Sequence, residues 1–258
     1  FLWWFSTGAI LMAVRRADRE GAKARLWAVL WNLPFLVLGA FGFVDTLGNG
    51  TVAGVYVAFL SALALWGWIE LAFLTGVITG PVRQPLKDGV PEWERFIRAW
   101  GTIAYHEMLL AFTLLAMIVA SLGAENHFGL WTFAVLFAAR ISAKLNLYLG
   151  VRKINVEFIP EHLNHLPSHF RTARMNWLFP ISITGLSVAA AYWLGHIAAA
   201  DTPADAVGYA LLGALTALAL LEHWFMVLPF PDEKLWRWLL SDRPAPNNQA
   251  ILQSEDAR

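Results

Sequence analysis

TVAGVYVAFLSALALWGWIELAFLTGVIT, residues 51–79, runs for 29 residues with a single charged side chain, Glu70. An apolar run of about 20 residues is enough to cross a bilayer as a helix. The stretch therefore reads as a transmembrane helix. Its carboxylate reads as a group that needs a partner, because a charge facing lipid is costly.

The rest of the chain agrees. Hydrophobic residues make up 58% of the 258 positions and charged residues 15%, with a mean hydropathy of +0.51. That is more apolar surface than one soluble core of this size buries, so the expected fold class is all-α and polytopic in a membrane. The net charge of zero gives no sign of a nucleic-acid partner. The absence of cysteine excludes disulfides, thiolate metal sites and thiol nucleophiles.

Apolar runs lie near 1–14, 26–44, 51–79, 101–122, 127–150, 176–199 and 206–228, which predicts about seven transmembrane helices. The first is short and starts at Phe1, as a sequence beginning inside a helix would. A cleaved signal peptide fits less well, since no basic region precedes it and no small-residue cleavage site follows. Five basic residues lie in 15–25, four in 81–99 and four in 151–175, and the C-terminal segment opens with Lys234 and Arg237. The intervening connections, around Asp45, at 123–126 and at 198–205, have no Lys or Arg. The alternation predicts an N-out, C-in bundle, with tryptophans such as Trp3, Trp4, Trp27, Trp177 and Trp236 in interfacial belts. Residues 1–240 form the expected membrane domain, with a cytoplasmic histidine-rich segment at 151–175. Residues 241–258 are expected to be a flexible tail.

With 1.5 Å of rise per residue, Glu70, the pair His106 and Glu107, and the pair Glu222 and His223 fall roughly 8–14 Å inside the cytoplasmic boundary. Arg140 and Lys144, four residues apart on one helical face, fall in the same layer. Two readings compete. In the first the layer is a structural ion-pair network: Glu70 or Glu222 with Arg140, and Glu107 with Lys144. In the second, Glu70, His106, Glu107, Glu157, His162, His165, His169, Glu222 and His223 converge on one cavity as metal ligands. Carboxylates and imidazoles without thiols suit iron, manganese or zinc.

The stretch EHLNHLPSHF (161–170) supplies three of those histidines. A continuous helix starting at Pro160 would put His162, His165 and His169 on one face. Pro167 opposes that continuity. The metal reading is limited by the absence of any Glu-x-x-His pair or HEXXH motif, and by the cations at Arg140 and Lys144. A third use is pigment binding, with His106 or His223 ligating the magnesium of a chlorophyll-type ring. His127 and His196, near the opposite face, are expected to be structural. No nucleophile elbow, P-loop or dinucleotide-binding motif is evident, and the basic residues at 15–25 suit anionic lipid headgroups.

Several long stretches carry a resemblance: WWFSTG (3–8), GVPEWERFIRAWGTIAYHE (89–107), GLWTFAVLFAARISAKLNLYLGV (129–151), VEFIPEHLNHLPSHF (156–170) and MNWLFPIS (175–182). Together and in this order they resemble the PuhE family, assigned to photosynthetic complex assembly in purple phototrophic bacteria. The resemblance implies a multi-pass protein of the bacterial inner (intracytoplasmic) membrane. It also implies a role in assembling the reaction centre and core light-harvesting complex, or in supplying bacteriochlorophyll to them, with their subunits as partners. It brings no catalytic residues. The alternative from another class is a membrane-embedded His/Glu di-metal oxidoreductase, with iron or another transition metal, acting on a carotenoid or bacteriochlorophyll precursor.

Overall fold

The computed structural model describes residues 2–87, 89–154 and 159–228, with the backbone alone at 2–7 and 9. Glu157, Lys234, Arg237, Trp236 and the expected tail lie outside the described residues, and the Trp3 and Trp4 side chains are likewise not described.

Within that range the protein is an all-α membrane bundle of eight helices. They are α1 (Leu2–Glu20), α2 (Ala22–Trp31), α3 (Leu33–Asp45), α4 (Val52–Leu74), α5 (Glu92–Ala120), α6 (Phe128–Leu149), α7 (Leu178–Ala198) and α8 (Pro203–Phe225). Six stretches are long and apolar enough to span a bilayer, with α2 and α3 together forming one of them, Ala22–Asp45. The seventh expected crossing corresponds to α1, whose apolar part ends at Val14 before the RRADRE run. Gly21, at φ +93°, separates α1 from α2.

The expected single helix over 26–44 is interrupted at Asn32. Pro34 has no N–H and its ring crowds the carbonyl of Leu30. The Asn32 amide compensates by donating to the Ala28 carbonyl at 2.8 Å. Helix starts elsewhere follow ordinary capping rules. Thr51 Oγ1 accepts the Gly54 N–H at 3.1 Å, and Thr202 Oγ1 accepts that of Asp205 at 3.1 Å just ahead of Pro203.

Helix α4 is the axis of the bundle, and Phe43, Ala62, Leu65, Ile69, Leu110, Met117 and Phe133 from α3 to α6 pack around it. Small residues set the approach. A Cβ at Gly39 would lie 2.9 Å from the Ser61 carbonyl oxygen, and one at Gly129 would lie 3.1 Å from that of Ala58. These glycines let α3 and α6 touch the α4 backbone.

The connections segregate as the charge alternation requires. At the basic end, which the charge alternation assigns to the inner side, Asp18 meets His162, the Leu86 N–H donates to Ser168 Oγ, and the Lys153 N–H donates to Met226 O. At the outer end the N–H groups of Glu125 and Asn126 donate to Leu47 O.

One connection does not stay at the surface. After α4 the chain folds back alongside α5, so that the His106 N–H donates to Thr79 O at 3.0 Å and the Val82 N–H to Gly101 O at 3.1 Å. Thr75 and Thr79 are buried. Irregular backbone is tolerated at this depth because it is enclosed by protein and its polar groups are paired. Gly80 makes the approach possible, since a Cβ there would overlap the Gly101 carbonyl oxygen and lie 2.7 Å from the Thr102 carbonyl carbon. Gly80→Ala should therefore destabilise the protein by about 1–3 kcal/mol. Gly185→Ala, where a Cβ meets nothing within 4 Å, should stay within about 0.5 kcal/mol of the parent. Thermal unfolding in detergent micelles checks this, and equal midpoints for the two variants would contradict the placement of the 79–82 segment.

Candidate functional site

Glu70 from α4, His106 and Glu107 from α5, and Arg140 and Lys144 from α6 meet in one layer near the inner end of the bundle. Arg140 Nη2 donates to Glu70 Oε2 at 3.0 Å, and Lys144 Nζ makes a close contact with Glu107 Oε1. These are the ion pairs the sequence suggests. His106 lies between them, with Nε2 3.7 Å from Glu70 Oε1 and 3.9 Å from Glu107 Oε1. The imidazole is fully buried and its ring packs on Phe73 at 4.4 Å between centroids. Glu70 Oε1, Glu107 Oε2, both nitrogens of His106 and Nε of Arg140 are buried without a hydrogen-bond partner.

These separations resemble those between ligands of a shared ion. The charges argue otherwise: each carboxylate already faces a fixed cation, which would repel a metal ion. Among the described residues no three His, Asp or Glu side chains are placed to hold a metal.

The other sequence candidates divide into three places. His223 on α8 is buried, and its Nδ1–H donates to Ala219 O at 2.8 Å. That bond fixes the tautomer, so Nε2 is the acceptor for the Ser142 hydroxyl at 2.9 Å. Both nitrogens are engaged within the bundle. Glu222 is exposed on α8 and has no ion-pair partner among the described residues.

The three loop histidines occupy the third place. The continuous helix drawn for 160–169 is replaced by two single turns, Glu161–Leu163 and Leu166–His169. Pro167 is the physical reason, since it cannot donate to the carbonyl of Leu163 and crowds it. His162 Nδ1 donates to Asp18 Oδ1 at 2.6 Å, while His169 Nδ1 donates to His165 O at 3.2 Å. The Nε2 atoms of His162, His165 and His169 are all buried without a partner. Leu163 and Leu166 pack with Phe73, the same ring that covers His106. An apolar layer thus joins the histidine turns to the membrane-embedded cluster.

Sequence reasoning missed Asp18, Arg95 and the fold-back at Thr79. Asp18 receives both His162 and Arg25. Arg95 is buried, stacks 4.1 Å from the Tyr148 ring centroid, and donates to the carbonyls of Tyr148 and His169. The signal for Asp18 was its position as a carboxylate inside a basic run. Nothing in the sequence marks Thr79.

Burial, together with nearby His169, Arg83 and His162, lowers the His165 pKa below the usual imidazole value. Burial also lowers that of His169, against the raising effect of its bond to the His165 carbonyl. Both rings are therefore neutral when folded and gain protons more readily when unfolded. Their contribution to stability is present above the unfolded value of about 6.5 and is lost as pH falls below it. The unfolding midpoint should drop on acidification from about pH 7.5 to about 5.5, and less so in the His165→Gln, His169→Gln double variant. An equal drop in both proteins would contradict neutral, buried rings.

The family described as "Protein of unknown function (DUF3623)" matches residues 1–247. The "Uncharacterized 30.4 kDa protein in puhA 5'region" of Rhodobacter capsulatus is 53% identical over 240 residues, covering 93% of this chain and 88% of that protein. No solved structure matches the chain. With residues 1–247 of its 258 matched, the chain belongs to the DUF3623 family.

Proposed function

We propose that the protein is a factor of the photosynthetic inner membrane that serves assembly of the reaction centre and its core antenna, or delivery of bacteriochlorophyll to them. The observation that carries this reading is the similar protein of Rhodobacter capsulatus, whose description places it in the 5′ region of puhA. The resemblance to the PuhE family points the same way.

The geometry favours a docking factor over a metal-dependent enzyme. Inside, Glu70 and Glu107 are paired with Arg140 and Lys144. Outside, α7 turns Ile181, Val188, Tyr192 and Leu194 outward, a broad apolar surface available to lipid and to other membrane helices. Purified protein should accordingly carry less than about a tenth of an equivalent of iron, manganese or zinc. A stoichiometric metal that disappears in Glu107→Ala would instead favour the oxidoreductase.

Deletion of the gene in a purple phototroph tests the role directly. The expected phenotype is a loss of reaction-centre and core-antenna absorption by at least about threefold, with the biosynthetic pathway still producing bacteriochlorophyll. If delivery is the role, free pigment accumulates; if assembly is the role, subunits are degraded without pigment. Normal complex content in the deletion strain would overturn the proposal.

A further inference from the structure

Glu222 is the one acidic group of the embedded layer left without a salt bridge among the described residues. Glu70 takes Arg140 and Glu107 takes Lys144. Glu222 sits three residues before the end of α8 at an exposed position. Arg140 has 35% side-chain exposure, and its Nε remains unpartnered. Leu221 and Trp224 flank Glu222 and are also exposed.

A carboxylate exposed at bilayer depth is costly unless it meets water, a proton or an opposite charge. Salt bridges pair Glu70 and Glu107 with the layer's two cations, Arg140 and Lys144, and leave Glu222 without a cation among the described residues. A second copy of this chain does not supply it from this layer, because Arg140 and Lys144 each already face a carboxylate.

We propose that the exposed stripe of α8 at Leu221 and Trp224, with Glu222 at its edge, docks a transmembrane helix of another protein that carries a Lys or Arg within about one turn of its inner end. The apolar side chains supply helix contact and the carboxylate supplies register, since a basic side chain at another depth cannot reach it. Basic residues are abundant at inner helix ends, so the required group is common on potential partners. The proposal rests on the docking reading above for its biological use, but its chemistry is testable without any photosynthetic subunit.

The test uses the full chain in phosphatidylcholine vesicles, labelled at a cysteine introduced at Glu125, since the chain has none of its own. The probes are labelled Leu/Ala peptides of about 23 residues with Lys roughly three residues from the inner end, with Lys at mid-helix, or with no Lys. Energy transfer should show the inner-end Lys peptide associating at least about fivefold more tightly than the other two. Glu222→Gln should abolish that preference. Equal association of all three peptides with the parent protein overturns the proposal, even where the variant fails to fold. A preference that survives Glu222→Gln overturns it too. Loss of complex assembly in the deletion strain with no peptide preference would leave the functional reading intact and remove this site.

Discussion

The bundle depends on compensating charge at a depth where water does not. Glu70 and Arg140 tie α4 to α6, and Glu107 and Lys144 tie α5 to α6. Each pair would be a weak contributor on a soluble surface. Inside the bilayer the comparison changes, because a carboxylate without its cation would have to neutralise itself or drag water into the core. Helix α6 is therefore held in register by two contacts one turn apart, and the helices around it inherit that register.

The fold-back after α4 serves the same layer. By donating its backbone N–H to Thr79 O, His106 is fixed against the segment that follows α4. Phe73 then stacks on the imidazole and joins Leu163 and Leu166 beneath the histidine turns. Polar groups within the membrane are thus enclosed by apolar side chains on the inner face. Two of the loop histidines are bound outside the layer, His162 to Asp18 and His169 to the His165 carbonyl.

Much of this was legible in the sequence because membranes impose simple rules. Span length, the alternation of basic connections, and the shared depth of Glu70, Glu107, Arg140 and Lys144 follow from rise per residue and the cost of unpaired charge. Arg140 and Lys144 at i, i+4 had to face the same side, so their pairing with acids of matching depth could be foreseen. What was not legible depends on irregular backbone. The break at Asn32, the return of Thr79 to α5, and the splitting of the 161–169 segment by Pro167 follow from local steric conflicts that have more than one resolution. The pairing of His162 with Asp18, 144 residues away, depends on where those loops end.

The most direct test of the central claim is a double-mutant cycle on Glu107→Gln and Lys144→Met, read by reversible unfolding in detergent or bicelles. Each single variant leaves one charge buried without its partner, and should cost several kcal/mol, on the order of 3–5. The double variant should recover a large part of that loss, giving a coupling of at least about 1 kcal/mol. Strictly additive losses would contradict the account, because they would mean that the two side chains stabilise the bundle without pairing across α5 and α6.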